Sequence, residues 1–121
     1  MAVTNLRMLV KQMSDRGVDE VIARTGLEVK AFPAALALTV CVRYDGVLPS
    51  HQYVEASVET PSGAVADKSS AYTGKQLTVH GEVTLSVQLT AAEAGVYTVR
   101  ATVDNRDVPA QKIAIRQSNR R

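Results

Sequence analysis

The side chains of this 121-residue chain whose types could do chemistry are few: two histidines, one cysteine, and the carboxylates Asp45, Glu55 and Glu59. His51 follows Pro49-Ser50, and His80 precedes Gly81. No second His or Cys lies three to five residues from either, so a zinc-type ligand pair is missing and solvated histidines are expected. Cys41 would act as a nucleophile only with a histidine beside it, a third group to orient that base, and an oxyanion donor. Nothing local supplies these, and a small packed thiol is the expectation. Asp45 before Gly46 could be an acid or a calcium ligand, but the pair reads as a turn. Glu55 and Glu59 fall on one face of a strand, too far apart for paired-carboxylate chemistry without help from another strand. A solvated, edge-protecting role is expected of them. The phosphate-loop, dinucleotide, zincin and nucleophile-elbow motifs are absent. The sequence therefore predicts a protein that is not an enzyme and uses no cofactor or metal.

A second constellation is basic. Residues 100–121 hold Arg100, Arg106, Lys112, Arg116, Arg120 and Arg121 against Asp104 and Asp107, in a chain whose formal charge is only +2. Arg100, Lys112 and Arg116 share the outward parity of two strands, with Arg106 in the turn between them. Such a stripe could meet phosphate, yet the two aspartates interrupt it and no aromatic ring is interleaved. An acidic protein surface or plain solvation ranks ahead of nucleic acid, and the overall balance gives no reason for membrane binding. At the other end Leu6, Leu9, Val10 and Met13 fit helical spacing, while Leu6, Met8 and Val10 alternate. They read either as an apolar interaction arm or as part of the core.

These residues need elements to position them. At 13.0 kDa, with 45% apolar and 21% charged residues, the chain is expected to be a single soluble domain, 1–121, able to bury a core without staples. With 4% aromatic residues and no Trp, that core must be Val, Leu, Ile and Ala, which suits sheets. From residue 34 the hydrophobic period is two. Leu36, Leu38, Val40, Val42 and Tyr44 alternate with small or polar residues, which puts Cys41 on the small-residue face. Val54, Ala56 and Val58 then repeat the pattern, as do Val83, Leu85, Val87 and Leu89. Tyr97, Val99, Ala101 and Val103, then Ile113 and Ile115, complete it. Asp45-Gly46, Pro61-Ser62-Gly63, Thr73-Gly74, Ala94-Gly95 and Asp104–Pro109 punctuate the strands. Residues 64–74 are small and polar, and Leu77 with Val79 suggests a further strand ending near Gly81. Residues 1–32 are expected to form an N-terminal hairpin around Ser14–Gly17 or short helices, with 34–117 the sandwich and 118–121 a basic tail. The regular strand spacing predicts an all-β, antiparallel sandwich of seven or more strands.

The stretch Glu93-Ala94-Gly95-Val96-Tyr97 resembles the acidic-x-Gly-x-Tyr corner of immunoglobulin-like sandwiches, in which the tyrosine hydroxyl bonds back to the loop backbone. Glu93, Gly95 and Tyr97 stand at the matching places. Val99 replaces the antibody cysteine and no Trp is present, so the resemblance is to the broad, disulfide-free immunoglobulin-like class, over about residues 34–117. Small modules of that class occur in bacterial proteins and in phage virion, tail and decoration proteins. The resemblance implies a protein interaction or assembly module, with a nucleic-acid-associated or host-defence-inhibiting protein as the alternative. A lone cysteine, no leader-like start and no apolar run of about 20 residues point to a cytoplasmic or virion-associated protein.

Overall fold

A computed structural model describes residues 4–13, 19–21, 26–46, 53–72 and 80–118. Among them nine strands form: β1 (Thr4–Met13), β2 (Asp19–Val21), β3 (Leu27–Val29), β4 (Ala34–Asp45), β5 (Tyr53–Glu59), β6 (Val65–Tyr72), β7 (His80–Ala91), β8 (Gly95–Val103) and β9 (Arg106–Gln117). Two sheets pack face to face, one ordered β2-β1-β4-β7 and the other β3-β9-β8-β5-β6. Alternation explains the layers, because successive side chains on a strand point to opposite faces. Leu38, Val40 and Val42 of β4 and Val54, Ala56 and Val58 of β5 are all buried in one core. Their neighbours at odd positions face outward. Cys41 is the exception in burial, lying on the outer face yet covered, with the Thr84 hydroxyl 3.9 Å from its sulfur.

Among its described residues the N-terminal segment forms strands and no helix, and it belongs to the sandwich. β1 and β2 pair antiparallel, and β1 also pairs with β4 from Arg7↔Arg43 to Gln12↔Leu38, so it is an interior strand. Met8 and Val10 are 3% and 0% exposed, and Leu6 packs half-buried against the same core. For these three an interaction arm is corrected to core. Leu9 pairs with Cys41 and so shares the outer face. The side chain of Met13, the loop at 14–18, His51, the Leu77–Val79 segment, Arg120 and Arg121 all lie outside the described residues.

Four further corrections concern the sheet ends. The small, polar residues 64–74 contain a full strand, β6, formed by its register with β5 from Tyr53↔Tyr72 to Glu59↔Val65. The sandwich is not wholly antiparallel, because the three residues of β3 pair parallel to β9. The turn expected over Asp104–Pro109 is only Asp104-Asn105, with φ values of 50° and 68°, the geometry of a two-residue hairpin turn matched to strand twist. Arg106 accordingly begins β9 and is not in the turn. Finally, β5 lies between β8 and β6, so Glu55 and Glu59 guard no sheet edge.

One seam between the sheets is latched by a side chain. β6 and β7 are edge strands of opposite sheets, and the Asp67 carboxylate on β6 accepts the Gln88 backbone N–H at 2.7 Å. An edge donor that would otherwise invite another strand is thereby satisfied. At the opposite end of β8 the crossover is fixed by Tyr97, which is 1% exposed and whose hydroxyl donates to the Glu93 carbonyl at 2.7 Å. Gly95 adopts φ 150°, and a Cβ there would stand 2.6 Å from Cγ of Pro61, in the β5–β6 turn. The glycine thus lets two turns touch.

Tyr44 closes the core at the far end of β4. It is fully buried, and among the described residues its hydroxyl has no hydrogen-bond partner. Burial pushes the phenol above its ordinary value of about 10. The unfolded chain therefore loses this proton first as pH rises. Stability linked to Tyr44 is complete below the unfolded-state pKa and falls as pH climbs toward the higher folded value. Tyr44→Phe is expected to remove this alkaline loss and to stabilise the protein by about 1 kcal/mol at neutral pH, because a buried hydroxyl without a partner is costly. Urea unfolding midpoints at neutral and alkaline pH check both effects, and a large destabilisation by Tyr44→Phe would contradict them.

Candidate functional site

The outer face of the five-stranded sheet gathers most of the polar side chains singled out in the sequence. Parity places Glu55, Ser57 and Glu59 of β5, Thr98, Arg100 and Thr102 of β8, and Lys112 of β9 there. Cross-strand pairing then decides their state. The Nε of Arg100 donates to Glu59 at 2.6 and 3.0 Å, and Nε of Arg116 donates to Glu28 of β3 at 3.2 Å. The carboxylate raises the Arg100 pKa, first through this hydrogen bond and then through its charge. Arg100, Lys112 and Arg116 do share a face, but two of these three cations are compensated by acids from neighbouring strands. Those acids were invisible to a reading of residues 100–121 alone.

The register between β8 and β9 slips beside Arg100. Val99 faces Gln111 and Ala101 faces Val108, so Pro109 and Ala110 together oppose Arg100. This is a bulge, a feature that bends a strand and re-aims the side chain opposite it. The short side chains of Pro109 and Ala110 leave an open groove of about 490 Å³, walled by Glu55, Ser57, Arg100, Thr102 and Asp107. Its polar groups come from three strands that only the fold brings together.

At the β6 end of this face stands an aromatic pair. Tyr53 and Tyr72 are opposite each other in the β5–β6 register, with ring centroids 5.2 Å apart and planes tilted by 56°. Tyr72 is 75% exposed, the most exposed large apolar side chain among the described residues. The Tyr53 hydroxyl donates to Oε2 of Glu55 at 2.9 Å, and Lys68 Nζ lies 3.2 Å from Oε1. The Tyr53 bond, followed by Lys68, holds the Glu55 carboxyl below the usual carboxylate range. Glu55 is thus a fixed anion joining the tyrosine pair to the groove. Sequence reasoning placed Glu55 and Glu59 on one face but missed the Tyr53–Tyr72 pair, because β6 itself was not read as a strand.

No protein-family model and no curated protein matches the chain by sequence. Solved structures do match in fold. One is the CARDB domain of a protein from Pyrococcus furiosus, 17% identical, with a TM-score of 0.53 over 94% of each chain. In fold, this chain is similar to a CARDB domain. The all-β, immunoglobulin-like sandwich is therefore supported along nearly the whole chain. At this identity the CARDB likeness concerns architecture alone. The Pyrococcus domain was crystallised in complex with di-metal ions. Among the described residues of this chain, no group of three or more His, Cys, Asp and Glu side chains converges to hold a metal. The CARDB-like architecture also contains no helix long and apolar enough to cross a membrane among those residues.

Proposed function

We propose that the chain is a non-enzymatic protein–protein interaction module that works by contact through the outer face of its five-stranded sheet. The observation that carries this reading is the continuity of that face: a tyrosine pair with Tyr72 exposed, a fixed carboxylate and an open groove on one sheet. Exposed aromatic residues beside polar groups are the usual anchors of protein interfaces. The reading turns away from nucleic acid because Glu59, Glu28 and Asp107 interleave the basic residues of this face, which leaves no uninterrupted cationic stripe. The fold likeness to a CARDB domain is compatible with a contact role and does not choose the partner. The narrower form of the proposal is an assembly component of the decoration or tail type on a phage particle. That form requires a symmetric oligomer.

Site-directed photocrosslinking tests the face directly. A benzoyl-phenylalanine at position 72 or 110 is expected to give one discrete adduct in cells that make the protein, while the same group at Ser86, on the opposite sheet, gives none. An adduct of twice 13.0 kDa would identify a second copy of the chain and support the assembly form. No adduct from either position, or identical adducts from position 86, would overturn the proposal for this face.

A further inference from the structure

We infer that the Tyr53–Tyr72 pair and Glu55 form a receptor for an arginine side chain carried by a protein partner. This inference rests on the interaction reading above and gives it a chemistry. The ring of Tyr72 offers a solvent-facing π surface at the end of the sheet, and a tyrosine face attracts a cation within about 6 Å of its centroid. Tyr53, tilted by 56° at 5.2 Å, supplies a second wall, so the two rings bound a corner and not a flat stack. Glu55 stands beside that corner with its charge fixed by the Tyr53 hydroxyl. A carboxylate offers about four lone-pair sites. Tyr53 and Lys68 engage one oxygen each, which leaves acceptor capacity on both.

Lys68 already brings a cation to this anion from within the chain. Its side chain is 58% exposed, so the contact is water-screened and weak enough to be displaced. A guanidinium exceeds an ammonium here on two counts: its plane stacks on an aromatic ring, and its fork can bind a carboxylate in two places. Beyond Glu55 the groove continues to Arg100 and Asp107, whose opposite charges interact with each other. Arg100, the cation in the groove, is held by Glu59 through its Nε. The charge that favours a guanidinium is therefore that of Glu55 itself, at the tyrosine end of the groove.

The competing account is that Tyr72 merely completes a cross-strand aromatic pair that stabilises the sheet end. The two accounts separate in a titration of the intact protein, followed by the ring resonances of Tyr53 and Tyr72 and the backbone amide of Glu55. The probe is the peptide acetyl-Gly-Arg-Gly-Arg-Gly-amide, and its control carries citrulline, which has the same shape without the charge. Saturable shifts with the arginine peptide alone are expected. Tyr72→Ala should weaken binding about two- to fivefold, the range for an exposed cation–π contact. Glu55→Gln should weaken it as well, and Lys68→Ala should strengthen it. Absence of saturable shifts, equal shifts with citrulline, or an affinity unchanged by Tyr72→Ala would overturn the inference. A crosslinked adduct at position 72 without arginine binding would defeat this inference while leaving the interaction reading intact. Loss of the adduct defeats the underlying reading instead.

Discussion

A chain lacking residues 1–13 is expected not to fold. The deletion takes away β1, which pairs on one side with β2 and on the other with β4. It also takes away Met8 and Val10 from the core, where they are 3% and 0% exposed. Each buried apolar side chain of this kind contributes about 1.5–3 kcal/mol, against a total stability of about 5–15 kcal/mol for a domain of ordinary size. The loss does not end with those two residues. β4 would become an edge with a row of unpaired N–H and C=O groups, and β2 would have no strand to pair with. An amide spectrum that collapses to narrow dispersion, together with loss of a cooperative thermal transition, is the predicted result. A dispersed spectrum and a retained transition would mean that the segment is a dispensable arm. Met8→Ala supplies the graded version, with an expected loss of about 2–5 kcal/mol in a protein that still folds.

The legibility of this fold followed the origin of each signal. β4, β5, β7 and β8 bury one face against the core, and burying one face forces an alternation that can be read directly from Leu36 to Tyr44 or from Val83 to Leu89. β1 has the same origin, but Leu9 on the outer face filled in a helical spacing and hid the alternation of Leu6, Met8 and Val10. β6 carries no such mark. Its outward residues Lys68 and Ser70 and its inward residues Asp67 and Ser69 are all polar, so the strand exists because β5 offers an edge and Asp67 finds the Gln88 N–H. The parallel pairing of β3 with β9 involves three residues and has no local signature. Pro109 was read as part of a turn since proline cannot donate to a ladder, yet a bulge tolerates it and uses it to open the groove. The candidate site follows the same division. Parity put Arg100, Lys112 and Arg116 on one face. Their partners Glu59 and Glu28, and the meeting of Tyr53 with Tyr72, depend on strand order, which no local pattern encodes.

Strand order also sets the cost of a side chain at Gly81. Gly81 lies directly opposite Tyr44 in the β4–β7 register, so both face the core end of the sandwich. A Cβ built on Gly81 would fall among the Cε2, Cζ and Oη atoms of the Tyr44 ring. Two effects of Gly81→Ala oppose each other. Replacing glycine in a strand reduces the entropy lost on folding and favours alanine by about 0.5–1 kcal/mol. Forcing a fully buried ring to move in a close-packed core costs about 1–3 kcal/mol, and more where no rotamer is free to accept it. The second effect wins, and a net loss of about 1–2 kcal/mol is expected in denaturant unfolding. The ring is the cause, so the penalty should vanish with it. In a Tyr44→Ala background, which carries its own cavity cost of about 3–5 kcal/mol, adding Gly81→Ala should cost less than about 0.5 kcal/mol or even stabilise. The double-mutant cycle would then show a coupling of about 1–2 kcal/mol between the two positions. Strict additivity would mean that Tyr44 does not cover Gly81, and that some other contact keeps this position free of a side chain.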